Sequence, residues 1–223
     1  MSTSRLSSVS QTWATAAAGR RLLLIRHGET AYNRDGRYQG QLDVPLNTIG
    51  VEQARCLATR LQDEPLALCV SSDLARARVT AEVIARVHGI TVQTTAALRE
   101  AHLGVLQGRS WGEAAEALGD DAGYLDRRDV RAKPAGGESL LDVRRRVRRF
   151  LAVLAPVVPN APPGDIVVVG HGGSLRALLP LLLSLPTAAA WGFRFDNCAL
   201  TVVEIDRSGR AVLTAHNDRT HLQ

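Results

Sequence analysis

The sequence predicts an α/β fold: a three-layer α/β/α sandwich whose mixed sheet is mainly parallel, with a small cap insertion. Three observations carry this. Leu22–Ile25 and Ile166–Val169 are short unbroken apolar runs, as in strands covered on both faces. Each stops at a polar residue and a glycine, Arg26-His27-Gly28 after the first and Gly170-His171-Gly172 after the second. Between and beyond them, helical periodicity alternates with further short apolar runs, the pattern of β-α repeats.

In chain order, residues 1–20 are rich in Ser, Ala and Thr, and are expected to be a disordered extension without a secretory signal. Residues 21–223 form one domain, a length able to bury a sizeable core. After the first strand, Thr30–Pro45 reads as a polar loop with two glycines, amide side chains and Arg37, suited to lining an anion pocket. Asn47 or Thr48 caps a helix to about Leu61, and Leu66–Val70 is a second strand. Ser71-Ser72-Asp73 opens a helix over Leu74–His88. Arg76 lies in its first turn, where free N–H groups and the helix dipole favour anions. Ile90–Val92 is a third strand. Residues ~101–137 form the cap, with a short helix near Trp111–Leu118. A helix over Glu138–Leu154 is followed by the proline-rich linker Pro156–Pro163. After the strand ending at Gly170, an apolar helix starts beyond His171. Cys198–Ile205 and Ala211–Ala215 close the sheet, at least one of them antiparallel.

Composition excludes several classes. Hydrophobic residues at 45% and charged residues at 22% are ordinary for a globular chain. The net charge of +5 and pI of 9.7 invite a nucleic-acid reading, but the arginines are scattered and no aromatic platform accompanies them. The run Arg144-Arg145-Arg146 with Arg148-Arg149 lies on an amphipathic helix and reads as a solvated face. Leu175–Leu185 is too short for a membrane span and contains Arg176 and Pro180. Cys56, Cys69 and Cys198 are odd in number and show neither disulfide nor metal spacing, consistent with a cytoplasmic setting.

In an open α/β sheet, ligands bind outside the carboxyl ends of the strands. Arg26, His27 and His171 all stand there. A neutral imidazole can attack phosphorus, and an arginine fork suits phosphate oxygens. Glu100, after Leu98-Arg99, is a candidate proton donor. By themselves Arg-His-Gly and a helical arginine are unspecific; the set is not.

Arg26-His27-Gly28-Glu29-Thr30, Asn33, Gln39-Gly40, Ser72-Asp73-Leu74 with Arg76-Ala77, Leu98-Arg99-Glu100 and Gly170-His171-Gly172 follow in an order that resembles the histidine phosphatase superfamily. That group contains cofactor-dependent phosphoglycerate mutases and many phosphatases. The resemblance implies that His27 becomes phosphohistidine, that Arg26, Arg76 and His171 complete the phosphate pocket, and that Glu100 is the general acid and base. Asn33, Gln39, Gly40 and Gly172 would add hydrogen bonds, with no metal and no cofactor. Mutases of the family typically follow the glutamate with Arg-His-Tyr and place a lysine further on; here Ala101-His102-Leu103 and Trp111 stand instead, and Arg127-Arg128 is the nearest arginine pair. Gly136-Gly137-Glu138-Ser139 and the Asn217–Leu222 ending look like the phosphatase branch, which includes α-ribazole, broad-specificity and glucosyl-3-phosphoglycerate phosphatases.

The expectation is a metal-independent phosphomonoesterase acting on a small phosphorylated metabolite, with no nucleic-acid or membrane partner. A homodimer is the family's common habit. Alternatives are a phosphoglycerate mutase and, remotely, a noncatalytic phosphometabolite-binding protein. Ala101, Leu103, Leu106, Trp111 and Tyr124 would make the pocket mouth apolar, favouring aryl or nucleoside-like phosphates over 3-phosphoglycerate.

Overall fold

A computed structural model describes residues 12–119 and 128–223. Its centre is a six-stranded sheet in the order β3-β2-β4-β1-β5-β6. The strands are β1 (Arg20–Arg26), β2 (Leu66–Ser72), β3 (Val92–Thr95), β4 (Asp165–Gly170), β5 (Leu200–Ile205) and β6 (Ala211–Asp218). The first four pair in parallel, while β5 runs antiparallel to both β1 and β6. β4 is buried along its whole length, as its apolar run requires. The edge strand β6 instead alternates exposed and half-buried positions over its first half.

Alternation along the strands builds two cores. Leu22, Leu24, Ile166 and Val168 face one, and Leu23, Ile25, Val167 and Val169 face the other. The helix at residues 12–16 (α1) is followed after β1 by the single turn α2 (Ala31–Arg34) and by α3 (Thr48–Leu61). Then come α4 (Ala75–Val87), α5 (Ala114–Leu118), α6 (Leu140–Leu154) and α7 (Gly172–Leu182). α3 and α4 cover one face of the sheet; α6, α7 and α1 cover the other. Asn47 caps α3 by accepting from Gly50 N–H at 2.7 Å, and Ser139 with Asp142 forms a reciprocal capping box on α6.

Several expectations change. Residues 12–19, read as part of an extension, pack on the domain: Trp13 is 2% exposed and shares a core with Phe150 and Leu151. An alanine-rich stretch forms helix readily, and one tryptophan buries a large apolar area. Residues 1–11 lie outside the described residues. The third strand is displaced to Val92–Thr95, while Ile90 packs beneath it against the second core. The proline-rich linker holds a 3₁₀ turn at Val158–Asn160 with Val158 buried, and Arg20 donates to three carbonyls there and to Gly164 O just beyond. Thr30–Pro45 is interrupted by α2. Between Glu100 and α6, Leu106, Ala114 and Leu118 make a small separate core with Tyr38 and Leu103. No helix among the described residues is long and apolar enough to cross a membrane.

Candidate active site

The site follows from the register of the two central strands. Arg26 of β1 lies opposite Gly170 of β4, and His27 N–H donates to Gly170 O at 3.0 Å. The two strands therefore end level, and the residue after each end is a histidine. The rings of His27 and His171 have centroids 5.0 Å apart with planes at 57°. Both are buried, at 2% and 0% exposure.

His27 Nδ1 lies 2.7 Å from Gly28 O. A carbonyl only accepts, so this bond assigns the proton of the neutral ring to Nδ1 and leaves a lone pair on Nε2. Burial, and then the guanidiniums of Arg76 and Arg26, hold His27 well below its ordinary 6.5. The same causes depress His171, with His27 adding to them. Neither ring nitrogen of His171 has a hydrogen-bond partner among the described residues. A buried polar group in that state needs an explanation, and an anion would supply it.

Arg76 reaches the site from the first turn of α4 and is fully buried. Its Nη1 donates to Leu42 O and its Nη2 to Gly40 O, each at 2.7 Å. Among the described residues no carboxylate forms an ion pair with it, and burial pushes it down to about 10. Burying a cation without a paired anion costs several kcal/mol, which a bound phosphoryl group would offset. Arg26 donates from Nη1 to Phe195 O at 2.8 Å, and its Nε, also buried, has no partner among the described residues. Glu100 completes the set: Oε1 accepts from Ala101 N and Gly173 N at 2.8 Å, and Oε2 from Gly173 N at 3.2 Å. This seats the carboxylate on the positive end of α7.

The remaining predicted residues sit around this centre with altered parts. Asn33 Oδ1 accepts from Thr30 N–H and from Asn197 Nδ2, and the single Thr30 hydroxyl proton is shared between Asn33 Oδ1 at 3.1 Å and Gln39 Oε1 at 3.0 Å. What the two can offer an anion is therefore the amide NH₂. Gly40 contributes a carbonyl to Arg76, and Gly172 stands beside Glu100. Gly28 owes its lack of a side chain to α3, since a Cβ there would overlap the Gly50 carbonyl. Arg37, expected in the anion pocket, turns to Gly108 O and Glu113.

The expected apolar mouth is also revised. Leu106 is fully buried in the small core, Leu103 packs against it, and Ala101 packs against the main core. Trp111 is exposed beside Gly36; Tyr124 and Arg127 lie outside the described residues. Among the described residues no group of three His, Cys, Asp or Glu side chains is arranged to hold a metal ion.

With that geometry in hand, comparison with known proteins is decisive. The family model described as histidine phosphatase superfamily (branch 1) matches residues 22–218. The chain belongs to the histidine phosphatase superfamily. A Yersinia pestis protein named as a probable phosphoglycerate mutase is 34% identical to this chain over 207 residues, covering 89% of this chain and 93% of the relative. A mycobacterial glucosyl-3-phosphoglycerate phosphatase, solved with VO3, is 38% identical with a TM-score of 0.81, covering 90% of this chain and 100% of the other. The α-ribazole phosphatase of Shigella flexneri is 32% identical with a TM-score of 0.79, covering 89% and 96%.

Reasoning from sequence missed other residues that hold the candidate site together. Asn197 Nδ2 donates to His27 O at 2.9 Å, and Thr80 Oγ1 accepts from Gly28 N at 3.1 Å. Nothing local marks either of them. Gly173 is the N–H donor to Glu100, and the Gly172-Gly173 doublet was the available signal.

The buried imidazoles also make a prediction about pH. Their folded values lie below the unfolded 6.5. Above that pH both states leave them neutral; below it the unfolded chain binds protons that the folded one refuses. Unfolding free energy should therefore fall from pH ~6.5 toward 5, by up to about 1.4 kcal/mol per pH unit for each histidine. Urea unfolding at a series of pH values checks this, with His171→Gln expected to flatten the slope.

Proposed function

We propose that this histidine phosphatase is a metal-independent phosphomonoesterase that hydrolyses a small phosphorylated metabolite through a phosphohistidine on His27. The observation that carries the reading is a buried His27 bonded to Gly28 O through Nδ1, which leaves its Nε2 lone pair free, with Arg26 and Arg76 acting on the ring and neither of them in an ion pair among the described residues. Nε2 attacks phosphorus as the bond to the leaving oxygen breaks. Arg26, Arg76 and a ring N–H of the neutral His171 hold the phosphoryl oxygens, and the two guanidiniums supply the charge that Mg²⁺ supplies in other phosphoryl transfers. Asn33, Gln39, Gly40 and Gly172 line the same pocket.

Glu100 gives its proton to the departing alkoxide. Its Oε1 takes the two shorter backbone bonds, so Oε2 is the oxygen suited to carry that proton. In the second half-reaction the carboxylate takes a proton from water, which attacks phosphorus. The P–N bond breaks, inorganic phosphate leaves and His27 is neutral again.

A mutase reading is favoured by the Yersinia relative's name. Against it stands Ala101-His102-Leu103 after the acid, which brings no cation for a substrate carboxylate. The test is phosphate release from p-nitrophenyl phosphate and from 3-phosphoglycerate with EDTA present, together with trapping of acid-labile, alkali-stable phosphate on the protein. Hydrolysis with a trapped phosphoenzyme is expected. Faster interconversion of 3- and 2-phosphoglycerate with a bisphosphate primer than hydrolysis of any monoester would instead assign a mutase.

A further inference from the structure

The segment bearing Glu100 is held by groups with no part in the reaction as drawn above. Glu100 O accepts from Arg146 Nη2 at 2.9 Å and from Gln41 Nε2 at 3.1 Å. Arg146 Nη1 also donates to Ala97 O at 2.8 Å, so one planar fork spans the turn that leads into the acid. On the far side, Glu138 binds Arg146 through both carboxylate oxygens, at 3.0 and 3.1 Å, and accepts from His102 N–H at 2.9 Å. Arg146 is not on the solvated face expected for the arginine run; its side chain is 16% exposed and that of Glu138 24%.

This strut has a second end. Gln41 Nε2 also reaches Glu138 Oε2 at 3.4 Å. Gln41 lies between Gly40 and Leu42, whose carbonyls hold the two Nη atoms of Arg76. Its own N–H is anchored on Gln107 Oε1 at 2.8 Å. One tripeptide therefore connects the buried arginine to the backbone carbonyl of Glu100.

We propose that Arg146, Glu138 and Gln41 are positioning residues that seat the Glu100 carboxylate at the start of α7 and keep it in register with Arg76. The proposal rests on the phosphatase reading, in which Arg76 grips the phosphoryl group and Glu100 protonates the oxygen leaving it. Errors of about 1 Å in such a geometry are enough to slow a reaction by about 10²-fold. A pair serving stability alone would be replaceable by apolar side chains of similar volume without loss.

The experiment compares wild type, Arg146→Met, Arg146→Lys and Gln41→Ala on two leaving groups. p-Nitrophenolate departs without a proton, whereas an alkyl alcohol needs one. Arg146→Met should slow alcohol release from an alkyl phosphate by about 10²-fold and the burst of p-nitrophenolate by no more than about threefold. Arg146→Lys should not rescue the alkyl substrate, because an ammonium cannot span both carbonyls. Gln41→Ala should show the same split at about tenfold, and it carries the test if the Arg146 variants fail to fold.

Amide exchange at Gly173, whose N–H is held by Glu100, gives a readout without activity. It should quicken in these variants, as it should in Glu100→Ala. Equal slowing of both substrates would overturn the proposal. Should the wild type hydrolyse neither ester, the phosphatase reading fails and Gly173 exchange decides the positioning role: faster supports it, unchanged overturns it.

Discussion

His27→Ala is expected to lower phosphate release from p-nitrophenyl phosphate by at least about 10⁴-fold and to abolish the trapped phosphoenzyme. The loss should be this large because no other described side chain near Arg26 and Arg76 can take over as nucleophile. His171 has unpartnered ring nitrogens, but in the proposed reaction it holds phosphoryl oxygens. The variant should still bind inorganic phosphate within about tenfold of wild type, since both arginines keep their carbonyl anchors and charge complementarity outlasts the nucleophile. Steady-state kinetics with phosphate as competitive inhibitor, or calorimetry for an inactive variant, separates the two effects. Retention of more than about one hundredth of wild-type activity would place the nucleophile elsewhere.

Gly173→Ala should reduce alkyl phosphate hydrolysis by about 10²- to 10³-fold without destabilising the protein. A Cβ at Gly173 would overlap Glu100 Oε1. The carboxylate must then leave its seat on the first turn of α7, and the proton donor is displaced from the leaving oxygen. Helix stability runs the other way: residue 173 has no positive φ, and alanine is favoured over glycine in a helix by up to about 1 kcal/mol. An inactive variant with an unchanged or raised melting temperature is therefore the expected result. Gly172→Ala is the informative neighbour, because its Cβ would meet Glu100 Oε2 at an ordinary 3.7 Å. A smaller loss is expected there. Equal losses at the two positions would tie the effect to the start of α7 and not to Glu100.

How far these residues were legible beforehand depends on the kind of side chain. Ile166–Val169 and Leu22–Ile25 announce buried strands because four consecutive apolar residues have no stable alternative to burial on both faces. His27 and His171 stand out because each follows such a run next to glycine. Asn47 or Thr48 is read as a helix start from local hydrogen-bonding chemistry, and Asn47 is the cap; the helix read from Glu138 starts instead at Leu140, capped by Ser139.

Long polar side chains were harder to read. Arg146 belongs to a run of arginines that local pattern assigns to solvent, yet it reaches the carbonyls of Ala97 and Glu100. Leu106 has the composition of a pocket lining and is core instead. Trp13 lies in a stretch with the composition of a tail and is packed on the domain.

The sequence by itself therefore determined the alternation of strands and helices and marked Arg26, His27, Arg76, Glu100 and His171 as the candidate set, because these depend on periodicity and residue type within a few positions. Only the tertiary structure decided that β1 and β4 are neighbours in the register Arg26 to Gly170, which brings two histidines 144 positions apart in the chain (27 and 171) to a ring separation of 5.0 Å. It also decided which guanidiniums go into the interior. A flexible arginine has no local preference between water and a buried carbonyl; the choice is made by the acceptors that distant segments place within its reach.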